Sequence, residues 1–177
     1  MQNVLDGTKE AELQIFENEH FKLGKDYKFN EGDIKTLWLL AIPKTVFTKS
    51  IRSIRDLTGD HLPMLKSILT ESYKAIHEKY GLPSSMVSAY FHYLPSYWCL
   101  HAHFVHIDKA NNDKEYVSLE QVIANLEMNA NYYKLATLQY TIGDQSDLFK
   151  ALKEEGILED YVDPKDLKKP VGETEED

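Results

Sequence analysis

The chain has 177 residues, 42% of them apolar and 28% charged, and a formal net charge of −9. That length supports one domain and a tail without disulfide or metal staples, and 8 glycines and 6 prolines exclude collagen-like or low-complexity sequence. The acidic balance excludes a basic footprint for long nucleic acid, and the longest apolar run, Leu37 to Ile42, is far too short to span a membrane.

In chain order, Met1 to Glu12 has no apolar stretch, which predicts no uncleaved secretory signal. Glu12 to Asn18 and Tyr27 to Phe29 read as short strands. Thr36 to Ile42 reads as a buried strand, because it is a short apolar run that ends at Pro43. Within it, Trp38 and Leu39 are expected in the core. Thr58 is placed to start a helix that runs to about Tyr80. Leu62, Leu65, Ile68, Leu69, Tyr73 and Ile76 make one apolar face, and Gly81, Leu82 and Pro83 end the helix. Met86 to Leu94 and Cys99 to Ile107 read as strands of a tight antiparallel hairpin turning at Pro95 and Ser96. Asp108 to Lys114 is a polar loop. Val117 to Leu126 reads as a helix, with Ser118 as a start signal. Ala136 to Ile142 reads as a strand, and Asp144 or Ser146 opens a last helix through Glu155. The fold class is α+β, an antiparallel sheet with packed helices. The expected domain covers residues 1–157. Residues 158–177 form an acidic, loose tail, and the stretch from Glu159 on holds 8 acids against 3 lysines.

Four of the 7 histidines fall within 15 residues: His92, His101, His103 and His106. Imidazole titrates near neutrality, so this clustering points to chemistry. Side chains alternate along a strand, so Cys99, His101 and His103 share one face. Leu100, Ala102, Phe104 and His106 share the other, whose apolar company marks it as the core side. His106 is thereby outside the site. His92, on the preceding strand, can lie beside His101 across the ladder. Three imidazoles around one point, with hydroxyls from Ser96 and Tyr97, suit a phosphate: donors neutralise oxygens while a neutral imidazole attacks phosphorus. Zinc on Cys99, His101 and His103 is a competing reading, but no fourth ligand stands at a telling spacing. The single Cys99 excludes an intrachain disulfide and fits a reducing compartment, cytoplasmic or nuclear. Arg52 and Arg55 read equally as phosphate contacts or as structural ion-pair partners. Trp98, on the face opposite Cys99, reads as core or dimer packing.

The run His92-Tyr93-Leu94-Pro95-Ser96-Tyr97-Trp98-Cys99-Leu100-His101-Ala102-His103-Phe104 resembles the scavenger mRNA decapping enzymes, a branch of the histidine triad superfamily. Ile51 to Thr58 (IRSIRDLT), His61-Leu62-Pro63 and Val122 to Glu127 (VIANLE) agree in order, and the resemblance runs from about Asn3 to Gly156. It implies a histidine triad fold, a symmetric homodimer and no metal or other cofactor. It also implies hydrolysis of the 5′-5′ triphosphate of residual 7-methylguanosine caps on short RNA or cap dinucleotides, through a nucleotidyl-histidine intermediate. By motif position His101 is the nucleophile, His103 the last triad histidine, and His92, Ser96 and Tyr97 phosphate contacts. Glu10 matches the carboxylate that pairs with the methylated base. Asp26-Tyr27-Lys28 matches a segment lining the cap pocket, with Lys28 on phosphate.

The sequence departs from that pattern at two places. Cys99 stands where the triad's first histidine is expected. A counterpart of the family's N-terminal domain is not expected within these 177 residues, and its base-stacking tryptophan would precede Met1. Two alternatives stay open: another histidine triad hydrolase, acting on phosphoramidates or dinucleoside polyphosphates, and a nucleotide- or cap-binding protein without catalysis.

Overall fold

The computed structural model describes residues 13–44, 51–110 and 116–158. They fall into two compact units, Met1–Tyr140 and Thr141–Asp177. The expected tail, residues 158–177, lies outside the described residues except for Leu158.

The first unit carries a six-stranded antiparallel sheet: β1 (Gln14–Glu17), β2 (Phe21–Lys25), β3 (Trp38–Pro43), β4 (Val87–His92), β5 (Ala102–His106) and β6 (Tyr116–Ser118). Their order across the sheet is β1-β2-β3-β5-β4-β6. Its described residues also form helices α1 (Leu62–Tyr80), α2 (Leu119–Met128) and the short α3 (Tyr132–Leu135). The expected α+β class with an antiparallel sheet and packed helices holds.

Register explains the two faces of the sheet. Leu39 pairs with Phe104, and Phe104 with Ala89. All three belong to the buried core beneath α1 and α2, together with Leu65, Ile68 and Ile76 of α1 and Val122 and Leu126 of α2. One residue along each strand, Leu40 pairs with His103 and His103 with Tyr90. A step of one residue reverses the face, so these side chains lie on the other side of the sheet. The α1 face is as read from the periodicity, with Leu65, Ile68 and Ile76 buried and Leu62, Leu69 and Tyr73 partly buried against the core. Gly81 closes α1 at φ +68°, a left-handed conformation that glycine adopts without a Cβ clash.

Several expected elements differ. Tyr27–Phe29 is a turn: Asp26 Oδ1 accepts the Lys28 N–H at 3.0 Å, and the Asp26 carbonyl accepts the Phe29 N–H. A carboxylate offering itself to the backbone two residues on outcompetes a ladder. The strand lies just before it, as β2, with Phe21 and Leu23 fully buried. Thr36 belongs to a 3-10 turn capped by Asp33 rather than to β3. Thr58 opens a 3-10 turn over Gly59–His61, where its N–H donates to His61 Nδ1 at 2.9 Å, and α1 follows at Leu62. Residues 136–142 are not a strand. The Arg55 guanidinium occupies the carbonyls of Tyr133 (3.0 Å) and Ala136 (2.5 Å), so those acceptors are taken by a side chain. Ser118 caps α2 as expected, its hydroxyl accepting the Gln121 N–H at 3.1 Å.

The second unit contributes α4 (Asp147–Glu154). Ser146 caps it, accepting the Phe149 N–H at 3.1 Å, which settles the choice between Ser146 and Asp144.

Candidate functional site

The tight hairpin between β4 and β5 is absent. The last described ladder pair at this end is Tyr90 with His103, and residues 93–101 form a nine-residue connection. Pro95 offers no N–H to a ladder. The chain instead anchors elsewhere: the Leu100 N–H donates to the Ile51 carbonyl at 3.3 Å, and Leu100 is buried in the core. That anchor preserves the alternation through Cys99, Leu100 and His101, although Cys99 and His101 precede β5. The gathering of three histidines survives for this reason.

The ring centroids of His101 and His103 lie 5.0 Å apart, and those of His92 and His103 lie 4.6 Å apart. His103 is therefore central. Tyr90 stacks on it at 5.3 Å with an interplanar angle of 16°. His106, by contrast, is buried, and its Nδ1 accepts the Asp108 N–H at 3.1 Å, a structural role.

Two hydrogen bonds assign ring hydrogens. His101 Nδ1 lies 2.7 Å from the Cys99 carbonyl oxygen. A carbonyl only accepts, so Nδ1 carries the hydrogen and Nε2 of the neutral ring carries the lone pair. The indole Nε1–H of Trp38 donates to His103 Nδ1 at 3.2 Å. An indole N–H only donates, so His103 Nδ1 is an acceptor. Position 99 thus orients His101 through its backbone. The Cys99 side chain is half-buried and its thiol is pushed up by burial, which makes it a poor nucleophile at neutral pH.

Trp38 is the residue that sequence reasoning missed. It was expected in the core beside Leu39, but consecutive strand residues face opposite sides, and Trp38 stands on the histidine side. The alternation that separated His103 from Phe104 would have found it. Leu39 is fully buried, as expected. Lys28 Nζ sits 4.1 Å from the Trp38 ring centroid, so the lysine expected on phosphate reaches the same face. Asp26 acts on its own turn, and Tyr27 is exposed.

Beside the cluster a small recess is lined by Arg52, His92, Pro95, Cys99 and His101 among others. Arg52 is exposed there, while its backbone N–H is held by Asp56 Oδ2 at 2.8 Å. Arg55 is structural: besides the two carbonyls its Nε donates to the Tyr93 hydroxyl at 3.1 Å. Ser96 and Tyr97 are exposed on the nine-residue connection. Trp98 is also exposed, which removes it from the core. Glu10 lies outside the described residues. Among the described residues no group of three or more His, Cys, Asp or Glu is arranged to hold a metal ion, and no helix is long and apolar enough to cross a membrane.

Residues 1–116 match the family model described as "Scavenger mRNA decapping enzyme C-term binding". The m7GpppX diphosphatase of Ascaris suum is 36% identical over 155 residues, 84% of this chain and 50% of that protein. The human m7GpppX diphosphatase is 36% identical over 159 residues, 86% of this chain and 46% of that protein. The chain thus spans about half the length of these curated relatives. Among solved structures, the aprataxin ortholog Hnt3 from Schizosaccharomyces pombe aligns with TM-score 0.44 and 16% identity, covering 86% of this chain and 88% of that one. With the family model matched from residue 1 to residue 116, across the whole histidine segment, the chain belongs to the scavenger mRNA decapping enzyme C-terminal family.

Proposed function

We propose that the chain carries the hydrolytic centre of a scavenger decapping enzyme. It cleaves the 5′-5′ triphosphate of residual 7-methylguanosine caps, on short RNA or as cap dinucleotides, with His101 as nucleophile. The observation that carries this reading is the 2.7 Å bond from His101 Nδ1 to the Cys99 carbonyl, which leaves Nε2 with its lone pair. In the first step Nε2 attacks the phosphorus next to 7-methylguanosine. A P–N bond forms, the P–O bond to the next phosphate breaks, and a nucleoside diphosphate or short oligonucleotide leaves. The ring becomes cationic as the bond forms, and the Nδ1–H···O=C contact strengthens with that charge. Water then attacks the same phosphorus, the P–N bond breaks, and 7-methylguanosine monophosphate departs with neutral His101 restored. The protein's own groups suffice for this sequence, without metal.

The supporting residues keep the roles implied by the family. His92, His103, Ser96 and Tyr97 contact phosphate, with Cys99 supporting His101 through its carbonyl. Lys28, held by the Asp26 turn and resting on Trp38, supplies positive charge to the triphosphate. Asp26 and Tyr27 line the cap pocket with it. Glu10 pairs with the methylated base, whose cationic ring is a good donor to a carboxylate. We further propose a symmetric homodimer in a reducing compartment, cytoplasmic or nuclear, which equilibrium sedimentation and localisation of the tagged chain test.

The test is a metal-free incubation with a methylated cap dinucleotide, products separated by chromatography, and His101→Asn run beside the parent chain. Release of 7-methylguanosine monophosphate by the parent alone is expected. Equal release by His101→Asn overturns the mechanism, and equal rates on unmethylated analogues replace the cap with a broader nucleotide substrate class.

A further inference from the structure

We propose that Trp38 is a positioning residue that holds His103 as its Nε2–H tautomer, beside a His101 whose Nε2 carries a lone pair. The proposal deepens the hydrolase reading above, and only its kinetic arm rests on it.

The sheet register makes the contact. Trp38 pairs with Val105 and Leu40 with His103, so the indole reaches His103 diagonally across the β3–β5 ladder, within the span of an aromatic side chain. The two rings stand at 89° with centroids 6.2 Å apart, and the indole N–H ends 3.2 Å from Nδ1. Tyr90 fixes the plane of the imidazole by stacking on its face. A hydrogen on His103 Nδ1 would meet the indole hydrogen head-on, so the neutral ring keeps its hydrogen on Nε2. Lys28 adds to this. Its ammonium rests on the indole face, and a cation there polarises the ring and makes its N–H a better donor. His103 Nε2 is buried within the cluster; as negative charge grows on the phosphate oxygens during attack by His101, a fixed Nε2–H is the donor that substrate binding brings into reach.

The full chain, labelled with 15N-histidine, is examined by two-bond 1H–15N correlation spectra, with His103 assigned by its loss in His103→Gln. Two variants are compared: Trp38→Phe, which removes the N–H and keeps an aromatic face for Lys28, and Trp38→3-benzothienylalanine, which replaces N–H by sulfur in the same shape. The parent is expected to show His103 with Nδ1 bare and Nε2 protonated, and both variants a mixture of tautomers. On the cap dinucleotide kcat falls about 3- to 10-fold, the worth of one neutral hydrogen bond, with KM within about twofold. An Nδ1–H tautomer in the parent, or a His103 spectrum unchanged in the folded isosteric variant, overturns the proposal. A parent that shows the expected tautomer but no turnover overturns the hydrolase reading and supports the assignment of Trp38.

Discussion

The imidazole of His101 is oriented by the backbone carbonyl of Cys99, at 2.7 Å from Nδ1. Any residue at position 99 supplies that carbonyl. The replacement of the triad's first histidine by cysteine therefore leaves the orienting bond in place.

It follows that Cys99→Ala, Cys99→Ser and Cys99→His retain cap cleavage within about threefold, because no neutral hydrogen bond is lost. Steady-state kinetics on the methylated dinucleotide check this. Loss of turnover in Cys99→Ser would show that the thiol itself takes part.

Arg52 and Arg55, alike in sequence, separate in function. Arg52 is exposed on the recess beside His92 and His101. Arg52→Ala should raise KM about tenfold through one lost charge-assisted contact to phosphate, with the melting temperature unchanged.

Arg55 binds the Tyr93 hydroxyl and the carbonyls of Tyr133 and Ala136. Arg55→Ala orphans three polar partners at once, and a loss of about 2–4 kcal/mol in urea unfolding is expected, with Arg55→Lys recovering only part. A stable Arg55→Ala protein with weakened substrate binding would reverse this assignment.

Alkaline pH should weaken the fold. Burial pushes the Tyr90 phenol up to about 12, with a smaller contribution from Tyr116, and burial with the Glu31 charge pushes Tyr80 up to about 12. The folded state holds these protons more tightly than the unfolded chain, whose phenols titrate near 10. Their stabilisation is complete below about pH 10 and is lost as pH climbs from about 10 to 12. At about 1.4 kcal/mol for each tenfold change in proton affinity, buried Tyr90 alone contributes on the order of 3 kcal/mol. Urea midpoints measured across that window should fall, and Tyr90→Phe should flatten the slope.

Much of this was legible in the residues. The α1 face, its glycine cap, the Ser118 and Ser146 caps and the opposed faces around His103 follow from local periodicity and capping chemistry. The misreadings arose where distant groups decide. The run at 136–142 looks like a strand until Arg55, some eighty positions earlier, takes its first carbonyl, that of Ala136. The hairpin looks tight until Leu100 is found bonded to Ile51. β6 is only three residues long and merges with the start of α2, too short for alternation to register. Trp38 was misplaced because a continuous apolar run hides which of its two faces bears chemistry; pairing with β5 reveals it.

The β3–β5 ladder joins segments 65 positions apart at Trp38 and His103, with α1 and β4 between them in the chain. Closing so large a loop costs entropy before the contacts made by closure can repay it. The histidine cluster should therefore form only after that long-range closure. In a refolding time course, helical signal should return before the capacity to cleave a cap, and a nascent chain should remain inert until β5 has emerged and docked against β3.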